Sequence, residues 1–200
     1  LRVISGKLKG KKLFSVKGQN LRPTSDRVKE AIFDILQDQI RGQKVLDLFA
    51  GTGALGIEAL SRGAGGAVFV EGSPQSLVAL RRNIEVCGLQ EQVEVLAREA
   101  QTGIKILEAR GESFELIFLD PPYRRGLARR VLQALSKSSI VSPGTLIVAE
   151  HSLSEELDSI PSWQRVDLRR YRRTQVSFFN LKKSRPVVIQ NDPRGVYYEQ

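Results

Sequence analysis

The sequence predicts an α/β fold: a doubly wound, mainly parallel sheet with helices on both faces. Three observations predict it. From Lys44 onward, short apolar and β-branched runs alternate with amphipathic helical stretches across short connections. A glycine-rich stretch, Asp47-Leu48-Phe49-Ala50-Gly51-Thr52-Gly53-Ala54-Leu55-Gly56, joins the first strand to the helix after it. A run with the composition of a strand buried on both faces, Phe114 to Leu119, stops abruptly at Asp120-Pro121-Pro122-Tyr123.

Residues 1–23 contain Gly6, Gly10, Gly18 and Pro23 among short β-prone pieces and read as a small N-terminal β-hairpin or extended arm. A helix follows, with Val28, Ala31, Ile32, Ile35, Leu36 and Ile40 on one face, Ser25 as cap, Asp26 at the positive end and Gly42 closing it. Val45–Phe49 is the first strand, and its helix runs through Leu60 to a stop at Gly63. Ala67–Val70 is the second strand. Pro74 opens a helix whose expected apolar face is Leu77, Val78, Leu80, Ile84 and Cys87, ending at Gly88. Val93–Leu96, a short helix marked by Ile104, Ile106 and Leu107, the strand Phe114–Leu119, and a helix with Leu127, Val131, Leu132 and Leu135 come next. After Pro143-Gly144 a strand covers 145–149. The stretches 163–172 and 174–183 lie too close together for a helical crossover, so they should pair as an antiparallel edge hairpin, which brings the strand count to seven. The division expected is an arm over 1–23, one domain over 24–183 and a tail over 184–200, whose apolar residues should pack on the domain or on a neighbour.

The 200 residues carry a net charge of +9, and a field of that sign attracts polyanions. Its distribution is uneven. Arg2, Lys7, Lys9, Lys11, Lys12, Lys17, Arg22 and Arg27 crowd the first segment; Arg124, Arg125, Arg129 and Arg130 follow the proline corner; Arg165, Arg169, Arg170, Arg172 and Arg173 lie near the end. Charge runs are commonly solvated surface, but three basic clusters with few interleaved acids favour nucleic acid. One cysteine, Cys87, and one histidine, His151, leave no disulfide and no thiol–imidazole metal cluster to expect. No stretch approaches the roughly 20 apolar residues of a membrane span, so the expectation is a cytoplasmic protein. The absence of methionine reads as a numbering that begins inside the encoded chain or after processing.

Glycines between a strand and a helix allow a tight turn and close backbone approach, and the helix start offers free N–H groups, which suits a nucleotide-type cofactor. Glu71, at the end of the second strand, would meet the ribose in a dinucleotide as well, so spacing alone leaves a dehydrogenase open. Two features point elsewhere. Asp47 puts a carboxylate in the first strand, where a cationic ligand with an amino group, such as S-adenosylmethionine, is better matched than a pyrophosphate. Nothing downstream resembles a hydride site, whereas Asp120-Pro121-Pro122-Tyr123 should face the same crevice at the carboxyl ends of the strands.

DLFAGTGALGIEALSRGA together with DPPY resembles the class I S-adenosylmethionine-dependent methyltransferases that act on exocyclic amines. With RVISGKLKGKKL and RPTSDRVKEAIFDIL, the chain from about Leu1 to Lys183 is similar to the bacterial RsmD family of 16S rRNA guanine-N2 methyltransferases. The resemblance implies a Rossmann-like class I fold and S-adenosylmethionine as cofactor. It implies that Asp47, Gly51 and Gly53 meet the amino acid part of the cofactor with Phe49 and Ala50 in the same loop, that Glu71 meets the ribose hydroxyls, and that Glu99-Ala100 lies near the adenine. Glutamate at 99 departs from the aspartate usual there, and Arg172-Arg173 after Tyr171 departs from the family's Tyr-Gly.

An aryl amine must redirect its lone pair towards the methyl it receives. Asp120 and the backbone carbonyl of Pro121 or Pro122 can accept the two amino hydrogens on a turn too stiff to drift, while Tyr123 stacks on the flipped base. RNA would be held by Lys7, Lys9, Lys11 and Lys12 on the arm, with Arg22, Thr24 and Arg27 at the rim. The expected partner is rRNA or an assembling small ribosomal subunit, with no metal and no membrane, and the protein is expected to be a monomer. Competing readings are a DNA adenine-N6 methyltransferase, for which no sequence-reading module is evident, a protein glutamine methyltransferase, which usually has asparagine in place of Asp120, and a non-catalytic RNA-binding module on a methyltransferase fold.

Overall fold

The computed structural model describes residues 1–16, 26–122, 126–172 and 174–182, without the Asp38 side chain. After the N-terminal segment comes α1 (Asp26–Leu36). Strands and helices then alternate through β1 (Lys44–Leu48), α2 (Ala54–Ser61), β2 (Gly66–Glu71), α3 (Pro74–Cys87), β3 (Val93–Ala97), α4 (Ala100–Ala109), β4 (Phe114–Leu119), α5 (Leu127–Leu135) and β5 (Val141–His151), ending in β6 (Trp163–Tyr171) and β7 (Thr174–Leu181). The described strands form a single seven-stranded sheet in the order β3-β2-β1-β4-β5-β7-β6, parallel through β5 and antiparallel at β7 and β6. This is the doubly wound sheet with an antiparallel edge that the alternation predicts.

Side-chain alternation splits the core into two layers. Val45 of β1, Phe69 of β2 and Leu116 and Phe118 of β4 pack against α1, α2 and α3. Leu46, Leu48, Val70, Ile117 and Leu119 point the other way, towards α4 and α5. The run Leu116–Leu119 is therefore buried on both faces because helices cover both, and Glu115, the exposed interruption, accepts the Lys44 amide at 2.8 Å. Phe33 of α1 lies 5.6 Å from Phe118, ring to ring. The Leu36 end of α1 reaches Leu116 and Leu146 near the amino ends of β4 and β5. Thus α1 runs against β4, and its first turn comes to the carboxyl edge of the sheet.

Four expectations about the elements are corrected. The first helix was expected to reach Ile40, but α1 stops at Leu36 and its last turn tightens to 3-10 geometry over Gln37–Ile40, where Gln37 has φ 39°. Ala31 is only half-buried, whereas Lys29 and Phe33 are fully buried on that helix. Val78 is 70% exposed and belongs to the outer surface of α3 rather than its apolar face. Pro143-Gly144 does not precede β5 but lies inside it: from Phe114↔Val141 to Leu116↔Leu146, two steps along β4 match five along β5, and the excess bulges into solvent, which is where a strand tolerates proline.

The N-terminal segment makes one antiparallel bridge, Arg2↔Lys12, around a 3-10 turn at Gly6–Leu8, so residues 1–16 form less of a ladder than the expected hairpin. They are docked rather than extended. Val3 and Leu13 are buried in the core layer with α1 and α2. Glu58 of α2 accepts the amides of Ile4 and Ser5 at 2.8 and 2.9 Å, and Ser61 accepts that of Leu8 at 3.0 Å. Gly6 approaches so closely that a Cβ there would fall 1.9 Å from the Ser61 carbonyl oxygen. Beneath it Lys29 and Glu58, both fully buried, form an ion pair at 3.1 Å, and Lys29 also donates to the Arg2 carbonyl. Among the described residues no helix is long and apolar enough to cross a membrane. The tail over 184–200 lies outside the described residues.

Candidate functional site

Parallel register sets the site. Leu48 of β1 pairs with Val70 of β2 and with Leu119 of β4, so the residues that follow, Phe49, Glu71 and Asp120, emerge side by side at the carboxyl edge. The chain turns sharply after β1: Phe49 has φ 67°, rare for a side chain of this size, and Ala50 donates to the Val70 carbonyl at 3.0 Å. Gly53 (φ 82°) then starts α2. A Cβ on Gly53 would fall 2.5 Å from Leu80 Cδ1, and one on Gly56 2.3 Å from the Phe69 ring. The second and third glycines of the loop are thus required by contact, the one to seat the turn on α3 and the other to seat α2 on β2.

Asp47 is 1% exposed, one residue inside β1 on the face covered by α2, and its Oδ2 accepts the Gly56 amide at 3.0 Å. Burial pushes its carboxyl pKa up to about 7, with the negative charge of Glu71 adding to the rise and the Gly56 N–H opposing it. Glu71 holds two amides at once, Gly51 at 2.7 Å through Oε2 and Ser73 at 2.6 Å through Oε1. Glu99 precedes α4 as an exposed residue whose carboxylate lies over Gly72, where a Cβ would come within 2.5 Å of Oε1; Ala100 is buried behind it. Asp120 is half-buried directly after β4, Pro121 is buried and Pro122 exposed. The structure therefore gathers Asp47, the loop from Phe49 to Gly53, Glu71, Glu99 and Asp120 along one edge of the sheet. Tyr123, Arg22 and Thr24 lie outside the described residues.

Lys7, Lys9, Lys11 and Lys12 are exposed on the docked N-terminal segment, and Lys7 donates to Gln92 at 3.1 Å. Arg27 is exposed in the first turn of α1, near the carboxyl edge. The histidine and the cysteine are structural in their surroundings. His151 contacts the Glu155 carbonyl and Ser177 Oγ, each at 2.9 Å, and burial lowers its pKa to about 4, while burial raises that of Cys87. Among the described residues no three His, Cys, Asp or Glu side chains gather as a metal site. A cavity of about 510 Å³ between the end of α1 and β4–β5 lies at the opposite, amino edge and contains none of these groups.

Two features of the site's support escaped the sequence. Asn83 of α3, fully buried, donates to the Thr52 carbonyl of the glycine loop at 2.9 Å and makes a pair of hydrogen bonds with the backbone of Phe14 at 2.7 and 3.0 Å. The Lys29–Glu58 pair anchors the basic segment. The available signal was a charge or amide inside an apolar helical face: Lys29 beside Val28 and Ile32, Glu58 within ALGIEAL, and Asn83 next to Ile84.

Comparison with known proteins adds to this geometry. The family model described as conserved hypothetical protein 95 matches residues 1–180. YlbH of Bacillus subtilis is 38% identical over 157 residues, 78% of this chain and 85% of its own length. The Escherichia coli K12 protein named ribosomal RNA small subunit methyltransferase D is 33% identical over 162 residues, 81% of this chain and 80% of its own. The solved structure of a hypothetical protein of Thermus thermophilus superimposes with a TM-score of 0.76 at 32% identity, covering 89% of this chain and 98% of that one.

Proposed function

The chain belongs to the conserved hypothetical protein 95 family, in which the relatives named ribosomal RNA small subunit methyltransferase D fall, and from that premise we propose that it transfers a methyl group from S-adenosylmethionine to the exocyclic N2 amine of a guanine in small-subunit 16S rRNA. One observation carries the proposal: a buried carboxylate under a glycine loop, Asp47, stands on β1, next to the strand whose end carries Asp120-Pro121-Pro122.

The residues present fit that cofactor. A carboxylate as buried as Asp47 is costly as an anion unless a cation comes to it, and an α-ammonium is such a cation. Gly53 and Gly56 seat the loop and the start of α2 against Leu80 and Phe69, which holds the backbone of the turn in place above Asp47. Glu71 and Glu99 border Gly72 at the ends of β2 and β3, where hydroxyl and amine donors of a nucleoside find acceptors. Bound S-adenosylmethionine supplies an electrophilic methyl group on a sulfonium.

The chain's own residues hold the acceptor. Asp120 and a carbonyl of the proline corner accept the two hydrogens of the amine, which draws its lone pair out of conjugation with the ring and towards the methyl, and Tyr123 stacks on the base. After transfer the amine's excess proton leaves to Asp120 or to water. Positioning of this kind can account for roughly 7–11 kcal/mol of barrier lowering at most. The exposed Lys7, Lys9, Lys11, Lys12 and Arg27, with Arg22 and Thr24, bind the RNA backbone. The test is transfer of labelled methyl groups to small ribosomal subunits from cells lacking the enzyme. Incorporation into rRNA is expected; a protein that neither binds S-adenosylhomocysteine in calorimetry nor labels the subunits would be a non-catalytic RNA-binding module instead.

A further inference from the structure

We propose that Phe14 and Arg82 form a stacking platform for one unpaired nucleotide of the RNA substrate, beside the glycine loop. Among the described residues the exposed large apolar side chains are Phe14, Val78 and Leu153, and Phe14 lies against α3, the helix that carries Val78. The guanidinium carbon of Arg82 lies over the Phe14 ring, 3.5 Å from its centre, a cation–π contact. Val78 stands one helical turn before Arg82 on α3, on the side towards Ser73 and the carboxyl edge of the sheet. The patch is therefore an aromatic ring, a guanidinium plane and an exposed valine in one row, with the exposed Lys11, Lys12 and Arg81 close by in the chain.

The ring is exposed but not loose. Asn83 bonds the Phe14 backbone through both its N–H and its C=O, so it replaces the strand partner that the segment lacks, and its third hydrogen bond goes to Thr52 of the glycine loop. A fully buried side chain thus fixes an exposed aromatic residue at a set distance from the candidate cofactor site. Pre-organisation of that kind lowers the ordering cost of a ligand. Charge selects the occupant: the rim is cationic in a chain of net charge +9, and a nucleobase offers a π-face for the ring and guanidinium while its phosphate meets the lysines. An apolar or basic peptide lacks the second half of that match.

The inference rests on RNA being the substrate, and the experiment separates the two claims. Binding of a short fluorescein-labelled single-stranded RNA and of its duplex is measured for the unmodified protein, Phe14→Leu, Phe14→Trp and Arg82→Gln, with S-adenosylhomocysteine affinity and thermal unfolding in parallel. Stacking on one base corresponds to about 1–3 kcal/mol, so Phe14→Leu should weaken single-strand binding by roughly 5- to 150-fold. Its salt slope, duplex binding, cofactor affinity and unfolding temperature should stay close to the parent's. Phe14→Trp should restore affinity, and its new indole should be quenched by the single strand; Trp163 is buried and gives a constant background. Equal binding by Phe14→Leu, or an unquenched Phe14→Trp that still methylates, would overturn the platform. A loss seen only with assembled subunits would assign the patch to a ribosomal protein and also overturn it. If the unmodified protein binds no RNA, the reading of the substrate falls first.

Discussion

Glu71 Oε2 accepts the amide hydrogen of Gly51 at 2.7 Å, tying the end of β2 to the loop that leaves β1. The other oxygen holds Ser73, which caps α3. One carboxylate thereby fixes the loop and the start of a helix while facing the crevice where a ribose would lie. Hydrogen bonds to a charged group contribute about 1.5–3 kcal/mol, so Glu71→Ala should weaken S-adenosylhomocysteine binding by roughly 10- to 150-fold. Calorimetry checks this, and Glu71→Gln, which keeps one acceptor oxygen, should fall between.

Asp47 gives the site a pH dependence. With a folded pKa of about 7, against an ordinary value of 3.8, the folded protein holds this proton more firmly than the unfolded chain does. Stability from this group is therefore full below about 3.8, declines as pH rises through that window and levels off above about 7. Cofactor binding has the opposite sign, because a cation needs the ionised form. Its affinity should fall by up to about tenfold per unit as pH drops below about 7, with proton release on binding near neutrality, visible in calorimetry across buffers of different ionisation enthalpy. Asp47→Asn should abolish that release and most cofactor binding. It should also unfold at a higher temperature at about pH 8, since it removes a buried charge and keeps an acceptor for Gly56.

The Lys29–Glu58 pair holds the basic N-terminal segment in place. Burial lowers the Lys29 pKa and the Glu58 carboxylate opposes that fall, so loss of Glu58 leaves a buried amine without its counter-charge and three further donors, Ile4, Ser5 and Arg62, without their acceptor. Breaking such a pair costs about 3–5 kcal/mol, and at about 2–4 °C per kcal/mol for a chain of this size Glu58→Ala should lower the unfolding temperature by more than about 6 °C. Faster proteolysis at residues 1–16 should accompany it. Lys29→Met should lower it less.

Replacing Lys7, Lys9, Lys11 and Lys12 with glutamine should weaken RNA binding at every sequence and flatten its salt dependence, by about 0.7 in log–log slope for each single-strand phosphate that the lysines no longer neutralise. Cofactor affinity should not change. Fluorescence anisotropy over a salt series checks both.

Much of the fold was legible because its signals are local. The run Leu116–Leu119 and the alternation around it announce a covered parallel strand, and Pro74 and Gly88 bracket α3. Asp47 and the glycine loop were legible for the same reason. Interactions between distant segments were not. Lys29 reads as a surface charge until Glu58, on another helix, is placed under it, and Val78 reads as core until the width of the covered face of α3 is known. Glu71 was expected to meet only a ligand, since nothing near it in the chain shows that Gly51 folds back onto it. The bulge at Pro143-Gly144 depends on β4, which lies far back along the chain.

The central claim is that Asp120 holds the amine of a guanine against the cofactor, and the product states it most directly. Small subunits from cells lacking the enzyme are methylated by the unmodified protein and by Asp120→Ala, and the rRNA is digested to nucleosides and analysed by mass. The account predicts N2-methylguanosine from the unmodified protein and none from Asp120→Ala, with S-adenosylhomocysteine affinity preserved. N6-methyladenosine, or undiminished turnover by Asp120→Ala, would contradict it.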